Sequence, residues 1–281
     1  MSTELYLRKV VADVIPLTGS AKRFDGLRIN FKIEKTSESA PNNAQVNIYN
    51  LSADSRALLE AKGSRLAVSI GYLGLNPNGI AGTGVASSSS VSLVLVGTIK
   101  KVTPELSAPD IITKIEVADG GNAYRNAKLE KGYPRNAKLE TVINDLANQF
   151  GLPVSNKTGI PQKTYSSGFA VTGYVRDQLD MLAKTHGFSW SIQDETVQFT
   201  PLNQGTSENV VLLSPKSGLI GSPSKTDKGI EFQSLLQPSL RPGRRVSIES
   251  KFLNGTFVVK KVTHQGDSHE GDFLSRCEAV A

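Results

Sequence analysis

The sequence predicts a mainly β protein with a small α+β unit inserted between two β regions. Apolar and polar residues alternate through residues 1–120, apolar residues recur at helical spacing within residues 121–202, and alternation returns in residues 203–281. Alternation with period two is typical of antiparallel strands that bury one face, whereas apolar residues three and four apart predict one face of a helix. We therefore expect three domains with these boundaries.

The first region is predicted to consist of strands and one short helix. Ser52 is a suitable N-cap for a helix that begins at Ala53, and Gly63 is a suitable stop for it. The segment 73–90 is rich in Gly, Ser and Asn, so it predicts a long flexible loop between two strands. The alternating segments that predict strands are 27–35, 44–50, 65–72, 91–102 and 111–118.

The middle region contains two amphipathic helices followed by a hairpin. Segment 188–192 alternates, Asp194-Glu195 forms a turn, and segment 197–199 returns, so these residues predict two paired strands. A hairpin that packs on two helices is an α+β unit. The apolar positions of the helices are Leu139, Val142, Ile143, Leu146, Ala147 and Phe150 before Gly151, and Val175, Leu179, Leu182 and Ala183 before Gly187.

The third region returns to strands. Asn254-Gly255 is a dipeptide that two-residue hairpin turns with positive φ prefer, so we expect a tight turn at this point. The predicted strands are 210–213, 229–236, 245–250, 255–263 and 273–279.

Two stretches carry a resemblance to a known family. Residues 234–267 read SLLQPSLRPGRRVSIESKFLNGTFVVKKVTHQGD, and residues 48–52 read IYNLS. Together with Asp119-Gly120 and the two amphipathic helices, these motifs resemble, in order along most of the chain, the baseplate hub proteins of bacteriophage tails, including the phage late control protein D type. The other matching residues are Phe31, Lys32, Asn43, Ala44, Arg56, Leu58, Leu59, Gly71 and Tyr72.

The resemblance implies two tube-protein-like antiparallel β-barrels, residues 1–120 and 203–281, that flank the helix-containing domain. It implies a structural hub, a trimeric ring that adapts a sixfold tail tube to a threefold spike. The implied partners are two further copies of the chain, the tail tube protein, a spike or central-fibre protein and other baseplate proteins. Such a protein is not an enzyme. It is synthesised in the cytoplasm of the bacterial host and resides in the tail baseplate of the virion.

The formal net charge of +6 raises the possibility of nucleic-acid binding. The densest basic residues are spread through predicted strands and turns, without an aromatic-basic platform or a recognition helix. We therefore expect solvated surface charge or interface pairing and no specific nucleic-acid binding, although DNA could pass through the implied ring. These basic residues are Lys100-Lys101, Arg241, Arg244-Arg245 and Lys260-Lys261.

Cysteine content and hydropathy indicate where the protein folds. Cys277 is the one cysteine, so an intrachain disulfide framework is excluded and a reducing cytoplasm is the simplest expectation. The first residues lack the apolar core and cleavage site of a signal peptide. No run approaches the ~20 apolar residues of a membrane helix, so no membrane insertion is expected.

Residue types that could carry chemistry are present, but their spacing favours structural roles. Gly82 and Gly84 resemble the start of a dinucleotide fingerprint, yet Ser87 stands at the third glycine position. Cys277 lies within a predicted strand and is expected to be packed. The stretch HQGDSHEGD contains residue types that bind metals, but their spacing fits neither a helical pair nor a zinc ribbon. These residues are His264, Asp267, His269, Glu270 and Asp272.

Asp194 and Glu195 are the one carboxylate pair that suggests glycan cleavage. Neighbours in a hairpin turn point in different directions, so we expect them to be solvated. Trp190, with Phe188 and Ile192, is expected to be core and not a sugar platform. The sequence thus predicts no catalytic, cofactor or metal site. The alternative hypothesis is a tail-tip binding module or hydrolase acting on cell-wall glycan, with the α+β unit or the basic surface holding glycan or DNA.

Overall fold

A computed structural model describes residues 7–73, 90–157, 159–202, 204–206 and 209–281. Strands account for 52% of the chain and helices for 16%, so the predicted fold class, mainly β with few helices, is confirmed. Most of the predicted loop at 73–90 lies outside the described residues.

The chain forms eighteen strands and four α-helices in the described ranges. The first β region contains β1 Arg8–Ile15, β2 Lys22–Asp25, β3 Ile29–Thr36, β4 Asn43–Tyr49, α1 Ala53–Glu60, β5 Arg65–Tyr72, β6 Ser92–Ser107 and β7 Asp110–Ala118. The middle region contains α2 Gly121–Asn126, β8 Lys128–Tyr133, α3 Leu139–Gln149, β9 Val154–Asn156, β10 Phe169–Tyr174, α4 Val175–His186, β11 Phe188–Gln193 and β12 Thr196–Pro201. The second β region contains β13 Val211–Leu213, β14 Leu219–Thr226, β15 Gly229–Leu235, β16 Arg245–Glu249, β17 Asn254–Asp267 and β18 Phe273–Val280.

Thirteen of these strands belong to one sheet. Its order is β14-β15-β18-β17-β3-β4-β7-β6-β5-β1-β2, and β16 joins it through β17 and carries β13 on its other side. The pairs along this path are antiparallel, and only β13 with β16 is parallel. In the middle region β10 pairs with β8, and β11, β12 and β9 form a second small sheet.

Strand β17 joins the two β regions. Its first residues, from Asn254 to Val258, pair with β16, and the residues from Lys261 to Asp267 pair with β3. The sequence predicted two separate β regions. The structure joins them into a continuous sheet, because β17 is long enough to pair with both.

The described residues form three hydrophobic cores. The first is enclosed by the first β region, the second by α3, α4 and the β11–β12 hairpin, and the third by the second β region. Phe273 and Leu236 come from the second β region but are buried in the first core. Phe273 contacts Phe31 and Tyr72 edge to face, with ring centroids 5.9 and 5.3 Å apart. The second β region therefore completes the core of the first.

The predicted helices form for the expected reasons. Ser52 caps α1, its side chain accepting the backbone N–H of Ser55, and α4 ends at Gly187, which has φ of 75°. The predicted apolar positions of α3 and α4 are buried, apart from the partly buried Ala183.

The tight turn predicted at Asn254-Gly255 is wrong. Glu249 pairs with Asn254, so the connection is the four-residue loop Ser250 to Leu253 and Asn254 already belongs to β17. Side chains close this longer loop. Asn254 Oδ1 accepts the Ser250 N–H at 2.8 Å, and Ser250 Oγ accepts the Leu253 N–H at 3.0 Å. An Asn side chain that accepts hydrogen bonds can thus terminate a loop as well as occupy a left-handed turn.

Candidate functional site

The tip of the β11–β12 hairpin lies where the three regions meet. Asp194 and Glu195 both have positive φ, 53° and 56°, as a two-residue hairpin turn requires. Their backbone N–H groups donate to the two oxygens of one carboxylate, that of Asp119, at 2.7 and 2.6 Å. Asp119 directly follows β7 and is completely buried. A side chain of the first β region therefore holds the backbone of the α+β unit.

The residue after Asp119 makes room for this contact. Gly120 has φ of 63°, a left-handed conformation that favours glycine. A Cβ at this position would lie 2.6 Å from Ile192 Cγ2, inside van der Waals contact. The Asp119-Gly120 pair thus supplies both the acceptor for the hairpin tip and the space for the strand that leads to it.

Asn42 connects the same carboxylate to the β3–β4 loop. Its Nδ2 donates to Asp119 Oδ2 at 3.2 Å and to the Ile192 carbonyl at 2.9 Å, and its Oδ1 accepts the Thr36 N–H at 2.8 Å. Gln193 Nε2 donates to the Thr36 carbonyl at 2.7 Å. These bonds satisfy polar groups that burial would otherwise leave unpaired, which costs about 1–3 kcal/mol each.

The two carboxylates of the turn bind cations from both β regions. Asp194 Oδ1 lies 2.7 Å from Lys35 Nζ on β3, and Asp194 Oδ2 lies 3.6 Å from Arg241 Nη1, in the segment before β16. Glu195 pairs with Arg65 at the start of β5. We call this set, Lys35, Asn42, Arg65, Asp119, Gln193, Asp194, Glu195 and Arg241, the charged junction.

Comparison with known proteins identifies the family of the chain. The sequence profile of the baseplate hub gp41 family matches residues 14–279. The chain belongs to this baseplate hub family. The family resemblance in the sequence is therefore confirmed, and the protein is a structural component of a phage-type tail baseplate. No curated protein sequence matches the chain significantly.

Three solved structures share the fold of this hub protein at low sequence identity. The 43 kDa tail protein of prophage MuSo2 from Shewanella oneidensis has a TM-score of 0.66 at 11% identity, over 97% of this chain and 96% of that one. A tail protein from Neisseria meningitidis MC58 has a TM-score of 0.63 at 10% identity, over 98% and 96%. The E. coli c3393 protein, a type VI secretion component, has a TM-score of 0.61 at 11% identity, over 96% and 76%.

The electrostatics of the charged junction follow from burial. Burial raises the pKa of Asp119 to about 6, with Lys35 opposing the rise and Asp194 adding to it. Burial also raises the pKa of Glu195, and Arg65 opposes that rise. The charged groups of this hub protein thus compensate one another across three elements, because each carboxylate faces a cation or accepts backbone N–H groups.

His264 lies behind the charged junction as a neutral residue. It is completely buried on β17, and burial lowers its pKa to about 3. Its Nε2 lies 3.2 Å from the Leu240 carbonyl and its Nδ1 lies 2.8 Å from Ser275 Oγ. A carbonyl can only accept, so Nε2 carries the proton and Nδ1 accepts from the Ser275 hydroxyl. Because it is neutral, His264 adds no third positive charge beside Lys35 and Arg241.

The expectation that Asp194 and Glu195 stay solvated is wrong. Each side chain is only 12% exposed, because the hairpin tip is enclosed by β3, β5 and the segment before β16. The two side chains do point in different directions, as expected, toward Lys35 and Arg65. Local sequence could not predict the enclosure, because Lys35 and Asp194 are 159 positions apart.

The residues of metal-binding type are not brought together. Asp267 pairs with Arg28 at 3.0 Å, Glu270 pairs with the same guanidinium, and His269 Nδ1 contacts Ser268 Oγ at 2.8 Å. Across the described ranges no group of three or more His, Cys, Asp or Glu side chains is arranged to hold a metal ion. These residues close the β17–β18 turn instead.

The remaining candidates have packing or surface roles. Cys277 is buried, which raises the pKa of its thiol, and Trp190 lies in the second core with Phe188 and Ile192, as expected. Gly82, Gly84 and Ser87 lie outside the described residues. Within the described part of the chain, no helix is long and apolar enough to span a membrane.

The buried ion pair of the charged junction predicts a specific pattern of mutational effects. Lys35→Met should lower the free energy of unfolding by up to roughly 3–5 kcal/mol, because it removes the shorter ion pair of the nearly buried Asp194 and leaves only the longer one to Arg241, at 3.6 Å. The double variant Lys35→Met/Asp194→Asn should recover much of this loss. Lys32→Met is the matched control, because Lys32 is exposed on the same strand and pairs with Glu34, and it should cost about 0–1 kcal/mol.

Denaturant unfolding monitored by the fluorescence of Trp190, the one tryptophan, measures these differences. A loss for Lys35→Met no larger than for Lys32→Met would contradict a structural role for the pair.

Asp119 predicts an unusual pH dependence of stability. Because burial raises its pKa from 3.8 to about 6, the folded chain binds the proton more tightly than the unfolded chain. For this group the free energy of unfolding rises as the pH falls through this range. The wild type should therefore gain roughly 2–2.5 kcal/mol relative to Asp119→Asn between about pH 7 and about pH 4.

Urea unfolding of both proteins across this pH range gives the difference directly. A difference that shrinks as the pH falls would mean that Lys35 and the hairpin N–H groups hold Asp119 ionised.

Proposed function

We propose that three copies of this hub protein form a ring that joins a sixfold tail tube to a threefold spike. The observation that supports this most is the presence of two β regions in one continuous sheet. Three chains then supply six β units toward a sixfold tube while keeping threefold symmetry toward a spike. Closed rings of this kind bury the same surfaces on every protomer.

The proposed domain division is residues 1–120, 121–202 and 203–281. It is supported by the three hydrophobic cores, whose members fall almost entirely within these limits. Leu236 and Phe273 are the exceptions, because they cross into the first core. The two β domains therefore act as a rigid pair, and the α+β domain is attached at the charged junction.

Edges of the sheet are available for ring contacts. Among the described strands, β2, β13 and β14 each pair on one side only. β2 is four residues long and carries three charges, and β14 contains Pro223 and a shift of register. Such features limit open-ended strand pairing. These edge strands can therefore pair only with a complementary edge of a neighbouring copy, as closure of a ring requires.

The proposed partners are the tail tube protein, a spike or central-fibre protein and other baseplate proteins. The c3393 protein is described as similar to the T4 tail proteins gp27 and gp5, which supports a role at the end of a tail-type device. The proposed location is the virion tail baseplate after synthesis in the host cytoplasm. In the proposed ring DNA passes through the centre without sequence-specific binding.

We propose no enzymatic activity. The carboxylates that suggested glycan cleavage, Asp194 and Glu195, are both engaged in ion pairs at a nearly enclosed position. A general acid or nucleophile needs access to a sugar, which these groups lack. The alternative of a glycan hydrolase therefore has less support than the structural hub.

The ring predicts a trimer in solution. Native mass spectrometry of the hub, alone and mixed with the tube and spike proteins of the same particle, should give a mass of three chains, and electron microscopy should show rings. Leu212→Asp on edge strand β13 should reduce trimer formation, whereas Met181→Asp on α4, a similarly exposed residue, should not. A protein that stays monomeric when both partners are present would contradict the proposed ring.

The absence of hydrolysis is tested separately. Incubation of the hub protein with purified peptidoglycan should release no more soluble fragments than buffer alone, while lysozyme serves as the positive control. Release that disappears in the Asp194→Asn or Glu195→Gln variant would contradict the structural hub, provided that the variant is folded.

A further inference from the structure

We propose that a cleft between α1 and α2 binds an acidic, partly apolar segment of another protein. The cleft has a volume of about 870 Å³ and is lined by the end of α1, the middle of β6 and the first turns of α2. Four cationic side chains, Lys62, Lys100, Lys101 and Arg125, surround it. We call it the basic cleft. The proposal does not depend on the number of copies in the ring.

The charges of the basic cleft are unbalanced. Against four cations it contains one carboxylate, Glu60, which gives an excess of +3 out of the formal +6 of the whole chain. Among the described residues none of the four cations forms an ion pair. Lys100 and Arg125 donate only to neutral amide oxygens, those of Asn43 at 2.8 Å and Asn122 at 2.9 Å.

Three other exposed lysines on the same sheet form ion pairs. Lys32 pairs with Glu34, Lys114 with Glu105, and Lys261 with Glu278. These three lysines have a carboxylate partner, whereas the four cations of the basic cleft have none within ion-pair distance among the described residues. Converging cations without counter-charges repel one another and raise the local affinity for anionic groups.

The floor of the basic cleft is apolar. The half-buried Ile99 and Val102 on β6 contribute its accessible apolar surface, and Leu17 borders it with 75% of its surface exposed. An apolar floor inside a cationic rim fits a segment in which carboxylates and apolar side chains are interspersed.

A protein segment fits this site better than a nucleic acid. Single-stranded nucleic acids are held by aromatic side chains on which bases stack, together with a positive groove. The residues that line the basic cleft include no aromatic side chain. We therefore assign the basic cleft to an acidic polypeptide and treat nucleic-acid binding as an outcome of the test.

Fluorescence anisotropy with purified full-length protein tests the proposal. The probe is a fluorescein-labelled peptide of four Glu-Glu-Leu repeats at low ionic strength, with the Lys-Lys-Leu peptide as a reversed-charge control. Saturable binding is expected for the first peptide only. The Lys101→Glu/Arg125→Glu variant should weaken binding at least about tenfold, because two attractive charges become repulsive.

The matched control is Lys184→Glu/Lys225→Glu. It makes the same change of net charge at exposed lysines that form no ion pair with described residues, on α4 and β14, and it should weaken binding no more than about twofold. Circular dichroism establishes that each variant folds. If the first pair disrupts folding, Lys62→Gln/Lys101→Gln replaces it.

Two results would overturn the assignment to an acidic polypeptide. The first is no saturable binding of the acidic peptide, or an equal loss in the two double variants. The second is tighter binding of a twenty-nucleotide oligo(dT) with the same dependence on Lys101 and Arg125, which would assign the basic cleft to nucleic acid.

Discussion

The arrangement of the three cores depends on a lysine that is completely buried. Lys35 lies on β3, the strand of the first β region that pairs with β17, and it faces the carboxylate at the tip of the β11–β12 hairpin. A buried ammonium without a partner costs several kcal/mol, a large fraction of the 5–15 kcal/mol that stabilises a typical domain. The sheet therefore requires the α+β unit, because only the hairpin tip brings Asp194 to Lys35.

Asp119 makes a second connection between the sheet and the hairpin, and here the sheet supplies the carboxylate. Its carboxylate accepts both N–H groups of the turn, and Asn42 ties that carboxylate to the β3–β4 loop. The two connections use different chemistry, an ion pair and backbone hydrogen bonds, at the same turn. With Phe273 in the first core, they connect the three regions through packing, an ion pair and hydrogen bonds.

Local pattern predicted most of the elements and little of their assembly. The strand β1, RKVVADVI, was missed because its Val10-Val11-Ala12 run is buried as a block and does not alternate. The burial of Lys35 could have been predicted from the sequence. Lys35 follows Ile29, Phe31 and Ile33 at period two, which places it on the buried face of β3. Its partner could not be predicted, because nothing in the local sequence near position 194 specifies contact with β3.

Native-state hydrogen exchange of the Asp194 and Glu195 amides tests the central claim most directly. If the charged junction fixes the α+β unit to the sheet, these two turn amides should exchange as slowly as core amides of β3 and β17, through global unfolding. Exposed hairpin turns normally exchange fast. Fast exchange at Asp194 and Glu195 beside slow exchange in β3 would show that the hairpin tip opens independently, and would contradict the account.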